Sequence, residues 1–362
     1  FAQKELDATK ANLQKSTLRN AAFHRAEYDI LLAEYRVLSR GKRLNPLPLQ
    51  PLSDALDAYY LAETLRHASA IQSHLRVAEH SYSYHQPLLK AVLSESMPYH
   101  ELPAVAAQYY VYHCFDDTLK IGAEESFRKL KEILENQAAL FTQLELRVLY
   151  LSAINYCIRR VNMRDEGFYH EVFSLYKTGL ANEALLENGI LSAVSYRNIA
   201  TMAIKVHEFA WAEQFLNQYK DFLPKSDPNQ WYDYYRAVWH YRQGNYDAAL
   251  HILLPLKFNE PTFNMDARCL LIEIYYQNSE TSLLESMLES TKMYLLRHSD
   301  IGYPRENYEN FMKYLKKILH VKPYEKAEFA KLKAEIESMI YIYDKDFFIT
   351  ILNAKMTKEY KK

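Results

Sequence analysis

Glycine is scarce in this chain: seven of its 362 residues are glycine, and no two of them lie within nine residues of each other. Phosphate-cradling loops need clustered glycines, because the backbone N–H groups must reach the anion without a Cβ in the way. The sequence contains neither a G-x-G-x-x-G motif nor a P-loop, and the G-x-S-x-G motif of serine hydrolases is also missing. We therefore predict no catalytic residues and no cofactor, and we expect a protein that is not an enzyme.

Cysteine is even scarcer than glycine. The three cysteines, Cys114, Cys157 and Cys269, lie far apart and form no C-x-x-C pair. An odd, scattered set argues against a disulfide framework and suits a reducing compartment, so we predict a cytoplasmic location. The chain begins at Phe1 rather than at a methionine, which leaves open whether an upstream segment or a signal peptide has been removed.

Neither sign of charge predominates, since 44 basic residues stand against 45 acidic ones and the net charge is −1. Nucleic-acid binders usually carry a strong basic excess, because neutralising phosphates supplies their affinity. We therefore predict no nucleic-acid partner. Apolar runs are also short: none approaches the roughly 18 residues that a transmembrane helix requires, so we predict no membrane span.

The histidines form no recognisable zinc motif. His67 and His74 lie seven residues apart, two turns along one predicted helix face, and His80 follows them. Zinc sites need three or four converging ligands, often spaced as in H-E-x-x-H, and His170-Glu171 is not followed by a second histidine at the required position. We predict no metal site and interpret these histidines as surface or boundary residues.

Regularly spaced turns are what the sequence does contain. Each of five short turns precedes the beginning of a helical pattern, and the distances from one turn to the next are 45, 40, 37 and 35 residues. Helix-turn-helix repeats recur at about 34 to 47 residues, and each repeat needs its neighbours to bury its apolar face. The residues that mark the turns are Gly122, Gly167, His207, Gly244 and Ser279.

The segment around Gly244 resembles a tetratricopeptide repeat. Ala237 is small enough for one helix to pack closely on the next, and Gly244 permits a tight turn. Tyr246 then fills the gap between the helices, and Ala249 is the close-contact point of the second helix. The resemblance implies that Ala249 is buried where the two helices meet.

Weaker forms of the same pattern extend along the chain. The 198–224 segment is similar, with Ala212 in the place of Ala249, and the likeness covers about 190–297 well and 104–180 weakly. Taken whole, with Tyr-Cys-Ile-Arg-Arg at 156–160, the chain also resembles a family of bacterial tetratricopeptide-like proteins. Such repeats serve many functions, so the resemblance implies a fold and no particular activity.

The fold that follows is all-α: a right-handed solenoid of antiparallel helix pairs, with extra helices at both ends. No alternation of apolar and polar residues is long enough to predict a strand. Prolines at positions 46, 48 and 51 interrupt the helical pattern and predict a linker. The predicted segments are an N-terminal helical segment at 1–42, a Pro-rich linker at 43–52, a helical subdomain at 53–103, the repeats at 104–298 and capping helices at 299–362.

Basic and aromatic side chains on the first helix of consecutive pairs form the candidate binding site. In tetratricopeptide-like solenoids this helix lines the inner surface, and counting back 3, 6 and 10 residues from a turn follows one of its faces. From Ser279 the count gives Tyr276, Glu273 and Cys269. From Gly244 and His207 the same count includes Tyr241, Tyr234 and Arg197, and the residues two before these turns, Arg242 and Lys205, flank the face. These five residues are expected to project toward one concave wall, with both arginines exposed.

Aromatic and basic side chains on a concave wall suit a carboxylate or an acidic peptide, although solvated flanking charge explains the same residues. The function that we predict is a non-catalytic scaffold that binds a protein or peptide on the concave surface of a helical repeat. The alternative is a peptide-sensing regulatory protein whose N-terminal helices act as the output element, which the Pro-rich break favours. The identity of the partner and the oligomeric state stay open.

Overall fold

The computed structural model describes residues 2–40, 46–77, 83–96, 99–116, 122–224, 228–258, 260–298, 301–302 and 305–357. Within these ranges the chain contains seventeen α-helices and one two-stranded hairpin, so the prediction of an all-α protein is confirmed at that level. The helices are α1 (Ala2–Lys15), α2 (Ala21–Leu38), α3 (Leu49–Val77), α4 (Leu89–Glu95), α5 (Pro103–Cys114), α6 (Gly122–Asn136), α7 (Gln143–Asn162), α8 (Phe168–Ala181), α9 (Ala193–Lys205), α10 (Phe209–Tyr219), α11 (Pro228–Arg242), α12 (Tyr246–Leu253), α13 (Pro261–Gln277), α14 (Thr281–Arg297), α15 (Arg305–His320), α16 (Lys326–Ser338) and α17 (Lys345–Thr357).

The chain divides into two compact units, Phe1–Ser195 and Tyr196–Lys362, and the boundary falls inside α9. The predicted repeat segment, 104–298, is therefore shared between the two units. Each unit has its own buried apolar side chains, which include Leu130 and Tyr150 in the first unit. In the second unit they include Phe215, Phe311 and Phe348.

Two helix boundaries near the N-terminus differ from the prediction. The predicted N-terminal helical segment at 1–42 contains two helices with a break before Asn20, whose side chain accepts a hydrogen bond from the N–H of Phe23 at 3.0 Å and so caps α2. α3 begins at Leu49 and includes Pro51 in its first turn, where the missing N–H of proline costs no helical hydrogen bond. Part of the predicted linker, at 43–45, lies outside the described residues.

The hairpin was not predicted. Leu186–Glu187 pairs antiparallel with Ile190–Leu191, and Asn188 and Gly189 between them have φ angles of 53° and 77°. Positive φ at both central residues defines a type I′ turn, for which Asn-Gly is the strongest short sequence signal. The signal is therefore present in the sequence, but strands of two residues are too short for an alternation pattern to reveal.

Four turns between consecutive helices share one backbone geometry. Each has a residue in the left-handed region, at φ 69° for Arg164, 61° for His207, 79° for Gly244 and 59° for Ser279. The following N–H then bonds the carbonyl five residues back, a pattern typical of helix C-termini. These bonds join Asp165 to Arg160 at 3.1 Å, and Glu208 to Ala203, Asn245 to His240 and Glu280 to Tyr275 at 2.9 Å.

Three of the predicted turn residues thus occupy equivalent positions, whereas the turn predicted at Gly167 lies three residues earlier, at Arg164. Arginine has no turn propensity of its own, so local sequence did not reveal it. Gly122 begins α6, and the residues just before it lie outside the described ranges.

The expected close-contact alanines are buried. Ala212 on α10, Ala249 on α12 and Ala237 on α11 are each 0 % exposed, which confirms the prediction for Ala212 and Ala249. Consecutive helices α11 and α12 contact each other, as do α13 and α14. Tyr196 of α9 donates a hydrogen bond to the carbonyl of Leu216 on α10 at 3.2 Å. Small side chains at these positions allow the helix backbones to approach closely.

Gly244→Ala should lower the free energy of unfolding by about 1 kcal/mol. A Cβ built at Gly244 meets no atom within 4 Å, so the cost comes only from the left-handed backbone, at φ 79°. That conformation costs an L-residue about 1–2 kcal/mol, part of which is offset by the lower entropy of the unfolded alanine chain. Urea denaturation followed by far-UV circular dichroism measures the change.

Ser279→Gly is the matched control, because Ser279 already occupies the equivalent left-handed position at φ 59°. It should change stability in the opposite direction, by up to about 1 kcal/mol. A neutral result for Gly244→Ala together with a destabilising Ser279→Gly would contradict the common turn geometry.

Candidate peptide-binding wall

The five candidate residues lie on two helices of the second unit. Arg197 and Lys205 belong to α9, and Tyr234, Tyr241 and Arg242 belong to α11. We call these five residues the wall. The structure brings four of them, all except Arg197, together with one other part of the same unit: the connection between α16 and α17 and the first turn of α17. We call residues 343–346 of that region the closing segment.

Two ion pairs join the closing segment to the wall. Arg242 pairs with Asp344, and Lys205 pairs with Asp346. The Asp344 carboxylate also accepts a hydrogen bond from the N–H of Phe347 at 3.1 Å, so it both begins α17 and neutralises Arg242. The wall therefore already contacts two carboxylates of its own chain, two residues apart in sequence.

The two pairs differ in their exposure to solvent. The side chain of Arg242 is 35 % exposed and that of Asp344 only 10 %. Lys205 is 35 % exposed and Asp346 56 %. A pair with one buried partner is weakly screened, whereas an exposed pair contributes at most about 1 kcal/mol.

The two tyrosines of the wall are buried, at 4 % exposed for Tyr234 and 6 % for Tyr241. Burial raises the pKa of both hydroxyls. The side chain of Tyr343, in the closing segment, influences the pKa of Tyr234. The backbone N–H of Tyr343 donates a hydrogen bond to the carbonyl of Asn307 at 3.2 Å. Neither tyrosine of the wall therefore presents a face to solvent.

A buried carboxylate, Glu273 of α13, lies beneath this contact. The residue is 1 % exposed, and Tyr241, Arg242 and Asp344 are its charged and polar neighbours. Among the described residues, no group meets the distance and angle requirements of a hydrogen bond to either of its oxygens. Burial and then the negative charge of Asp344 raise the pKa of Glu273 well above its ordinary value, while Arg242 opposes the rise.

A second carboxylate on α13, Asp266, extends the polar layer. Its Oδ1 accepts a hydrogen bond from the hydroxyl of Tyr308 at 2.7 Å. Burial raises the pKa of Asp266 to about 6, and the Tyr308 hydrogen bond and the charge of Arg197 limit the rise. The guanidinium carbon of Arg197 also lies 5.9 Å from the ring centroid of Phe263. Arg197 is therefore directed toward α13 rather than toward the closing segment.

The expected exposure of the arginines is confirmed for Arg242, which is exposed, and is wrong for Arg197, which is partly buried. The physical reason for Arg197 is that the carboxylate of Asp266 on α13 attracts its guanidinium group inward. Whether the five residues bind a partner stays a prediction.

The sequence pattern anticipated only part of this constellation. Counting back from Ser279 placed Glu273 on the inner face of its helix, but nothing in its local sequence showed that it is buried. Tyr343, Asp344 and Asp346 lie about 100 residues or more beyond the wall residues they meet, and no local signal connects them. Within the described residues, no group of three or more His, Cys, Asp or Glu side chains is arranged to hold a metal ion.

The described residues thus form an all-α protein in which a basic and aromatic wall is covered by an acidic segment of the same chain. Comparison with protein-family models, with curated proteins and with solved structures found no match to this chain. Among the described helices, none combines the length and the hydropathy needed to cross a membrane.

Proposed function

We propose that this protein is a non-catalytic scaffold that binds an acidic segment of a protein partner on the wall. In this proposal the helix pairs of the second unit pack in the manner of tetratricopeptide repeats, and α9, α11 and α13 line their inner surface. The shared turn geometry at His207, Gly244 and Ser279 supports the repeat.

The proposal rests on the two ion pairs between the wall and the closing segment. Lys205 and Arg242 come from two different helices, yet both contact carboxylates of one short stretch of chain, Asp344 and Asp346. Two cations spaced in this way match an acidic linear segment, because charge-assisted hydrogen bonds to carboxylates are stronger than neutral ones. Complementary charge of this kind determines specificity and the association rate of a binding site.

Selection of random peptides on a display library by the purified full chain tests the proposal. We expect acidic sequences to be enriched, and Lys205→Glu to abolish the enrichment because it reverses one of the two cations. Lys331→Glu on α16 is the matched control, since it makes the same charge change at a side chain that is 65 % exposed and outside the wall. Enrichment that is absent, or equal for the two variants, would contradict the proposal.

A further inference from the structure

The closing segment and the residue that follows it combine charged and aromatic groups, in the order Tyr343, Asp344, Lys345, Asp346 and then Phe347. Its two aspartates contact Arg242 and Lys205 of the wall. The lysine between them is turned away from the wall, because its Nζ donates hydrogen bonds to the backbone carbonyls of Glu337 and Met339. The ion pairs between the closing segment and the wall therefore come from its two acidic positions.

Aromatic groups flank both acidic positions. The ring of Tyr343 lies 5.7 Å from that of Tyr308 and 5.6 Å from that of Phe311. Phe347 follows the second aspartate, and its ring lies 5.6 Å from that of Tyr276. The segment thus uses aromatic anchors beside its charges, which supply contact area at a low cost in side-chain entropy.

From these contacts we propose that the closing segment is an internal ligand that occupies the wall, and that the partner carries the same chemistry. The partner segment has two acidic residues separated by one residue, with an aromatic residue before the first and after the second. It binds by displacing the closing segment. This inference rests on the proposed function and adds to it the partner's chemistry and an autoinhibited state.

The exchange is energetically reasonable because the carboxylates of the incoming segment form the same ion pairs with Arg242 and Lys205 that Asp344 and Asp346 give up. One of the two ion pairs, Lys205–Asp346, is exposed and therefore weak. What favours the closed state is the tether, since a segment linked in the same chain has an effective concentration on the order of millimolar. A free peptide must compete with that concentration. Its apparent affinity is therefore its intrinsic affinity multiplied by the fraction of molecules in which the closing segment has left the wall.

Binding of a labelled synthetic peptide, measured by fluorescence anisotropy, tests the inference with the full chain. The probe has the sequence of residues 341–348, Tyr-Ile-Tyr-Asp-Lys-Asp-Phe-Phe, and the control peptide has asparagine at both acidic positions. The proteins are the unaltered chain and the double variant Asp344→Asn with Asp346→Asn. Asparagine at 344 keeps a side-chain oxygen that can cap α17, so the variant retains the start of that helix.

We expect the double variant to bind the probe at least tenfold more tightly than the unaltered chain, and to bind the control peptide at least tenfold more weakly than the probe. Adding Lys205→Glu to the double variant should remove the gain. Asp346→Asn alone, at a side chain that is 56 % exposed, is the second variant if the double variant fails to fold, and it should give a smaller gain in the same direction.

Equal affinity of the unaltered and weakened chains for the probe, with both folded by circular dichroism, would overturn the internal-ligand inference. If the display selection still enriches acidic peptides in a manner that depends on Lys205, the proposed function stands without autoinhibition. Failure of every folded variant to bind either the probe or any selected peptide would overturn both. Equal binding of the probe and the asparagine control would overturn the proposed partner chemistry.

Discussion

Arg242→Glu should lower the free energy of unfolding by about 2–3 kcal/mol. The substitution removes the cation that pairs with Asp344 and places a second carboxylate beside it. The Asp344 side chain is 10 % exposed and the neighbouring Glu273 is 1 % exposed, so water screens this repulsion poorly. Breaking a fully buried pair costs about 3–5 kcal/mol, and we expect less because 35 % of the Arg242 side chain contacts solvent.

Lys205→Glu is the control for this experiment, because it reverses the other cation that contacts the closing segment. Its partner Asp346 is 56 % exposed, so the loss should stay below about 1 kcal/mol. Urea denaturation of both full-length variants, followed by far-UV circular dichroism, gives the comparison. Equal losses for the two variants would mean that Glu273 and Asp344 do not form the buried end of this contact.

Glu273→Gln should raise the free energy of unfolding at pH 8, by about 1.4 kcal/mol for each unit by which folding raises the pKa of the carboxyl group. The neutral amide has nearly the same shape as the carboxyl group and carries no charge to bury. Burial and the charge of Asp344 already raise the pKa of Glu273 above its ordinary value of 4.5. Glutamine therefore imitates the protonated form that the folded chain prefers.

The pH dependence follows from the direction of that shift. Below pH 4.5, the ordinary value, Glu273 is protonated in both the folded and the unfolded chain and contributes no difference. As the pH rises above it, the unfolded chain releases the proton and the folded chain retains it, so the stability of the unaltered protein falls. The advantage of Glu273→Gln should therefore be absent near pH 4 and grow toward neutral pH.

Asp266 shifts in the same direction, with a folded pKa of about 6, but it is present in both proteins and cancels in the comparison. Glu285→Gln on α14, at an exposed position, is the matched control and should be neutral at both pH values. An advantage of Glu273→Gln that is equal at pH 4 and pH 8 would show that charge burial is not its cause.

The parts of the fold that could be predicted are those whose sequence signal is local and recurs in neighbouring segments. The turns at His207, Gly244 and Ser279 were located because each interrupts an apolar periodicity of about 3.6 residues that neighbouring segments repeat. The prediction placed one turn at Gly167, three residues after its actual position at Arg164, because glycine is the usual signal of a turn and arginine is not. The boundary between the two units, inside α9, has no local signal at all.

The candidate site could also be predicted only in part. Lys205 and Arg242 were selected because each lies two residues before a turn and flanks the inner face of its helix, and the structure places both cations against carboxylates. The identity of those carboxylates, Asp344 and Asp346, was not predictable, because they lie about 100 residues or more along the chain and pairing at that distance depends on the whole packing arrangement. The burial of Tyr234 and Tyr241 was not predicted either, because it depends on all the elements that pack around them.

By itself, the sequence determined the helical class, the positions of three left-handed turns and the burial of the alanines at helix crossings, because these depend on side-chain size, backbone freedom and spacing within a few turns of one helix. Only the tertiary structure decided that the wall is covered by residues 343–346 and that Glu273 is buried beneath it. Ion pairs act between groups that folding brings close, and burial depends on every element that packs above a residue. Both properties belong to the folded chain and have no counterpart in a local pattern.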